Sequence, residues 1–190
     1  MKYLRRAAVY LAKHAVIFTI VISLIIYTFY MAYNLSNAYI IVSEGMEKRA
    51  SVVLTKTGSD ELDNYFTESF KSGDPTLAAS KSGTDAFSKF DISSFDYDAR
   101  ISTLRWRPLK TVNVEGSNGQ KTSYRGVITL TVTENVTNIS GSVKREYTSD
   151  EAGELPHWNS GRYNVTLVKV NGDWLIVALE QDRSYQDPES

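Results

Sequence analysis

Residues 125–134 read Arg-Gly-Val-Ile-Thr-Leu-Thr-Val-Thr-Glu. Ile128, Leu130 and Val132 fall on one side of an extended chain, and Thr129, Thr131 and Thr133 fall on the other. Such strict alternation of β-branched side chains fits a strand and no helix, because a helix brings a face round only every 3.6 residues. This is the clearest strand in the chain, and the fold is read outward from it.

Downstream, Arg162–Val170 and Asp173–Glu180 read as two more strands. Asn171-Gly172 between them is the signal of a type I′ turn. The run Trp174–Leu179 is apolar at successive positions, as in a strand covered on both sides. Ser142–Tyr147 is expected to be a further strand, followed by an acidic loop, Ser149–Glu154. Upstream, strands are expected from Phe95 onward. Ile101–Arg107 ends at Pro108, and Thr111–Val114 leads to a hairpin at Ser117-Asn118-Gly119, with the chain resuming at Lys121.

Before Phe95 the period changes. Ser59 is a good N-cap with Asp60 and Glu61 in the first turn, and Leu62, Tyr65, Phe66, Ser69 and Phe70 follow at helical spacing until Gly73-Asp74-Pro75 stops the run. Ala78–Ser88 reads as a loop with one helical turn around Asp85–Phe87. Earlier still, Leu35, Tyr39, Val42, Met46, Arg49/Ala50 and Val53 form one helical face. That stripe suits either a dimer seam or packing on the chain's own sheet. Helices first and an antiparallel meander afterwards predict an α+β domain with the helices on one face of the sheet.

Ala15–Tyr33 reads AVIFTIVISLIIYTFYMAY, 19 residues without a charge. As a helix this spans roughly 28 Å at about 1.5 Å per residue, close to a hydrocarbon core of about 30 Å. Tyr27, Phe29, Tyr30 and Tyr33 gather at its far end, where amphipathic rings prefer the interface. Lys2, Arg5, Arg6 and Lys13 all precede it, so the positive-inside rule puts the N-terminus in the cytoplasm and the rest outside. A cleaved leader is the competing reading, with Ser36 and Ala38 as a small-x-small pair, but the apolar run exceeds the usual h-region. The expected organisation is a cytoplasmic basic tail (1–14), a transmembrane helix (15–34), a stalk or first domain helix (35–58), an extracytoplasmic domain (59–182) and a C-terminal tail (183–190). The membrane helix either runs on into the stalk or breaks near Asn34.

Setting aside the four tail bases, the chain holds seventeen basic against 22 acidic residues. An acidic domain argues against nucleic acid as a partner. The chain has no cysteine, which excludes disulfides, thiol catalysis and cysteine-ligated metal, and is a usage common in bacteria without oxidative folding.

The stretch Tyr163-Asn-Val-Thr-Leu-Val-Lys-Val-Asn-Gly-Asp-Trp-Leu-Ile-Val177 resembles the closing hairpin of the nuclear transport factor 2-like superfamily. The resemblance implies a strongly curved sheet wrapped around a helix, forming a cone with an apolar cavity, and in many members dimerisation through the sheet. The superfamily includes small-molecule isomerases and dehydratases. It also includes membrane-anchored, non-catalytic members such as the VirB-type components of type IV secretion and their Gram-positive conjugation counterparts. Those share the layout of basic tail, one span and one extracytoplasmic domain. Leu155–Tyr163 is also similar to uncharacterised membrane proteins of Gram-positive bacteria.

Catalytic chemistry has few footholds. There are two histidines, His14 at the edge of the apolar span and His157 in a Pro-Trp loop, so a zinc site is not expected. No Gly-x-Ser-x-Gly turn supports a nucleophilic serine. Asp91, Asp96 and Asp98 cluster before a strand; they form a solvated turn, or Asp98 points into the cone as an acid/base whose pKa burial raises. Trp158, beside Pro156 in a loop, is the aromatic best placed for a partner, its alternative being a loop pinned to its own domain. Candidate partner-binding residues are Trp158, Pro156, Tyr39 and Met46; no catalytic, cofactor-binding or metal-binding residue is assigned. The expectation is a membrane-anchored interaction or assembly module without catalytic activity, in an envelope or secretion/conjugation complex. Its expected partners are the bilayer through residues 15–34, membrane or envelope proteins, and a second copy of itself. The alternative is a small-molecule-binding or lyase/isomerase-type enzyme using Asp98.

Overall fold

A computed structural model describes residues 2–115, 119 and 121–183, without the side chains of residues 2, 4, 7, 8 and 11. The chain divides into two compact units, residues 1–37 and 38–190. Helix α1 (Lys2–Thr55) starts in the first and ends in the second, so the break near Asn34 does not occur.

The first unit is a helix whose apolar side chains stay uncovered. Val16, Leu24 and Phe29 are 73%, 59% and 73% exposed, and none of its most apolar 18-residue window is buried. Three of its polar side chains bond to carbonyls of the same helix. Thr19 Oγ1 donates to Ala15 O (2.9 Å), Thr28 Oγ1 to Leu24 O (2.8 Å), and the buried Asn34 donates through Nδ2 to Tyr30 O (2.7 Å). This uncovered helix is long and apolar enough to cross a membrane.

In the second unit the remaining turns of α1 carry the stripe, and Val42, Met46, Ala50 and Val53 are each at most 1% exposed. The stripe therefore packs within its own domain. Gly45 explains how closely: a Cβ there would lie 2.9 Å from Tyr65 Cβ and 3.1 Å from Ile176 Cδ1. Met46, expected to face a partner, is fully buried, because the face it occupies belongs to the core. Tyr39 remains 51% exposed.

The helix expected from Ser59 is interrupted. A 3-10 turn covers Ser59–Asn64, with Gly58 (φ 74°) in place of a side-chain cap. Phe66 then forms a parallel bridge with Ile176, fixed by Ile176 N to Tyr65 O (2.7 Å) and Thr67 N to Ile176 O (3.0 Å). Backbone groups committed to the sheet cannot also close helical turns, so α2 (Glu68–Gly73) restarts from Thr67, whose hydroxyl accepts from Phe70 N. Asp74 caps a third helix, α3 (Pro75–Ser82), with proline in its first turn. Much of the expected 78–88 loop is therefore helical. A 3-10 turn at Ala86–Lys89, capped by Asp85, stands where one turn was expected.

Four strands follow in an antiparallel meander: β1 (Phe90–Glu115), β2 (Lys121–Val143), β3 (Gly161–Val170) and β4 (Asp173–Gln181). The class is α+β, with a curved sheet. Register shifts interrupt β1–β2 at several points, and such bulges bend and twist a ribbon. Pro108 does not end its strand, because the shift between Arg107 and Thr111 lets a residue without an N–H sit in the ladder. Ser142–Tyr147 is not a separate strand either. β2 runs to Val143, past a bulge where Asn138 (φ 51°) donates through Nδ2 to Asp96 Oδ2 (2.6 Å). The acidic loop contains a short helix, α4 (Ser149–Ala152), closed by a capping box between Thr148 and Glu151. Asn171 (φ 52°) and Gly172 (φ 107°) supply the two positive dihedrals that a type I′ turn requires. The Ser117–Gly119 turn lies outside the described residues except for Gly119, as does the tail beyond Arg183.

The alternation in β2 is as expected. Ile128, Leu130 and Val132 are fully buried and Thr129, Thr131 and Thr133 half-buried. In β4, Ile176 and Val177 are both buried although adjacent, next to a register shift at Thr166/Leu167, while Leu175, Ala178 and Leu179 are half-exposed. That strand is covered fully on one face only.

Candidate functional site: a buried carboxylate

The inward register of β2 does not stop at Val132. Two residues on, Glu134 points the same way and is 1% exposed. Its cross-strand neighbours are small, Ala99 on β1 and Gly161 on β3. The Trp158 indole donates to Glu134 Oε2 (3.1 Å). Tyr97, half-buried on β1 opposite Val136, brings its hydroxyl toward the same carboxylate, yet Tyr97 Oη and Glu134 Oε1 are both buried without a hydrogen bond of normal geometry. Burial pushes the Glu134 carboxyl above the ordinary range, against the pull of the Trp158 N–H, the Arg49 charge and Tyr97. The Tyr97 hydroxyl is raised too, by burial first and the Glu134 charge second. Tyr163 on β3 is raised for the same two reasons.

A buried ion pair borders this group. Arg49 Nε and Nη2 donate to Asp74 Oδ2 (2.7 Å) and Oδ1 (3.2 Å), with 7% and 4% of the two side chains exposed. Asp74 Oδ1 also accepts from Thr76 N (2.7 Å) and Leu77 N (3.1 Å). One carboxylate thus joins α1 to the start of α3. The whole arrangement is one cation, two carboxyls, two phenols and an indole. Such a group can hold a proton on Glu134 or accept a hydrogen-bond donor at Oε1.

The residues singled out from the sequence lie elsewhere. Asp98 has 59% of its side chain exposed and accepts from Arg100 Nε (3.0 Å), so it faces solvent rather than the core. Alternation explains the correction: in this part of β1 Tyr97 and Ala99 face in, and Asp96, Asp98 and Arg100 face out. Asp91 and His157 are exposed, and no group of His, Asp or Glu among the described residues is arranged to hold a metal. Trp158 is pinned to its own domain by Glu134 and by Phe87, whose ring centroid is 6.1 Å away. Ser160 Oγ accepts from Val136 N (3.0 Å) and ties down the same loop. Pro156 is half-buried beside it.

A concavity of about 970 Å³ opens between the end of α1, the Ser59–Asn64 turn, α2, α3 and the turn after β2, with Lys56, Lys71, Lys81 and Lys144 on its walls. Lys56 is bound to Asp85 (2.5 Å), and Lys71 to Asp63 and Glu68, so half of its cations are already neutralised. No protein-family model, curated protein or solved structure matches the chain.

Proposed function

We propose that this is a single-pass membrane protein whose second unit serves, outside the cytoplasm, as a non-catalytic interaction or assembly module of an envelope complex. In this proposal the domain is a nuclear transport factor 2-like cone, and its N-terminal bases lie on the cytoplasmic side. The observation that carries the reading is the uncharged, wholly uncovered 18-residue window of α1 attached to a folded domain. It is supported by the burial of the inner carboxylate, which accepts from Trp158 and is 1% exposed. Anchoring works by raising the effective concentration of the folded surface for partners in the same membrane. In-cell crosslinking of a C-terminally tagged chain, followed by solubilisation and mass spectrometry, tests it. A reproducible set of membrane proteins, or crosslinked copies of the chain, is expected. A chain recovered alone and monomeric at all crosslinker doses would overturn it.

A second reading is favoured by one observation, the raised and incompletely bonded carboxyl of Glu134. Acid/base or binding chemistry in the cone would use Glu134 in place of Asp98. A small molecule bound by the wild type and lost in Glu134→Gln, with the fold intact, would favour it.

A further inference from the structure

β1 is the outer strand of the sheet; among the described residues it pairs with β2 on one side and no strand on the other. Its 26 residues are divided by charge. Asp91, Asp96 and Asp98 are the charges at its start, and Arg100, Arg105, Arg107 and Lys110 follow, all exposed. β2 adds Lys121 and Arg125 to the basic end, opposite Glu115 and Thr111. Between residues 100 and 125 six bases stand against one acid, while the rest of the sequence beyond residue 37 holds eleven bases against twenty-one acids. β3 pairs with β2 only over Val127–Glu134, so the basic end of the ribbon extends past the third strand.

Asp96 accepts from Asn138, but most of the bases are little used within one chain. Arg100 meets Asp98 and Lys121 lies 3.9 Å from Glu115, but Arg105, Arg107, Lys110 and Arg125 have no carboxylate at ion-pair distance among the described residues. A ribbon with an acidic start and a basic end is complementary to itself turned through half a circle. Two copies laid antiparallel along β1 set each aspartate segment against the other's arginines, the self-matching required of a two-fold interface.

We propose that the β1 edge is a self-association surface whose partner is a second copy of this chain. An anionic lipid surface would suit the bases but repel Asp91, Asp96 and Asp98, whereas a second copy uses both ends. The inference rests on the membrane-anchored reading, since confinement to a bilayer lifts an exposed electrostatic contact to useful occupancy. Bulges at Ile101/Thr103 and Arg107/Thr111 and the charges themselves oppose a continuous inter-copy ladder, so side chains carry the contact. It therefore weakens as salt rises.

The test is energy transfer between labelled copies of the full chain in neutral-lipid proteoliposomes. One variant carries Asp96→Lys with Asp98→Lys, the other Arg105→Glu with Arg107→Glu; all four positions are exposed, and circular dichroism verifies folding. Wild type is expected to associate in a salt-sensitive way, each variant alone at least tenfold more weakly, and the two mixed to within threefold of wild type. A monomeric wild type, variants that associate unchanged, or a mixture that fails to recover would overturn the proposal. So would association that appears only with anionic lipid. A monomeric chain that still captures a defined set of other membrane proteins would sink this inference and leave the functional reading standing.

Discussion

Glu134 holds one carboxylate oxygen against the Trp158 indole and buries the other without a hydrogen bond. The alternation Ile128, Leu130, Val132 places the next inward side chain at 134, but a glutamate at a strand end reads as solvated because burying a lone carboxylate is costly. What the sequence cannot show is that Trp158, 24 residues later, returns to donate to it. Protonation is the other way to meet that cost, and it gives a signed prediction. In the unfolded chain a glutamate titrates near about 4.3, and in the fold burial raises it. Between those two values the folded state holds the extra proton. The stability from this group is therefore complete below the unfolded value and is lost as pH rises toward the folded one, by up to about 1.4 kcal/mol per pH unit. Glu134→Gln keeps the shape and an acceptor for the indole but cannot titrate, so its detergent-solubilised unfolding midpoint should vary less with pH; equal slopes in the two proteins would refute the raised carboxyl. The neighbouring ion pair predicts a larger effect without a proton. Arg49→Ala strands the buried Asp74 with only its two backbone donors, and about 3–5 kcal/mol of stability should be lost. Arg49→Leu combined with Asp74→Asn, which removes both charges and keeps a cap for α3, should lose clearly less; an equal loss in denaturant titration would mean the charge was not the issue.

At the scale of elements, periodicity found what was regular and failed where two elements share a residue. The alternating strand, the Asn171-Gly172 turn and the buried stripe of α1 each follow from local spacing alone. The helix from Ser59 did not form as one piece because the Phe66 bridge to Ile176 links positions 110 residues apart, a contact no local window contains. β1 proved longer than expected for a related reason: proline stops a ladder only where its N–H would be needed, and the bulge at Arg107/Thr111 removes that need. Gly45 is the element-scale feature whose test is sharpest. Alanine there improves helix propensity by about 1 kcal/mol, but its Cβ would sit 2.9 Å from Tyr65 Cβ, an atom fixed to the backbone that cannot rotate away. Overpacking of this kind costs about 1–3 kcal/mol. Gly45→Ala should therefore destabilise the domain slightly in thermal unfolding, and Gly45→Leu strongly. A stabilised Gly45→Ala would show that α1 and the Tyr65 segment are not in close contact.

For the whole molecule, the change of period from helical to alternating near Phe95 was enough for the α+β class, because fold class follows from element order. The long apolar helix was legible for a different reason: a hydrocarbon slab excludes charge, and residues 15–43 contain none. In the structure none of the most apolar 18-residue window is buried, which in water would leave a long hydrophobic helix exposed. That cost disappears if lipid supplies the cover, and the prediction follows. The full chain, about 21.3 kDa, should remain in the membrane pellet after alkaline carbonate washing at its uncut size. Cleavage near the Ser36–Ala38 pair would instead release a smaller chain to the supernatant. Each lysine at the centre of a span costs about 2.5–3.5 kcal/mol on insertion scales. Ile22→Lys with Ile25→Lys together should therefore move much of the protein out of the pellet, whereas the exposed reversal Asp96→Lys with Asp98→Lys should not. If the wild type washes off, or the double-lysine chain stays as firmly as wild type, α1 is not held by lipid, and its exposed face must be covered by protein instead.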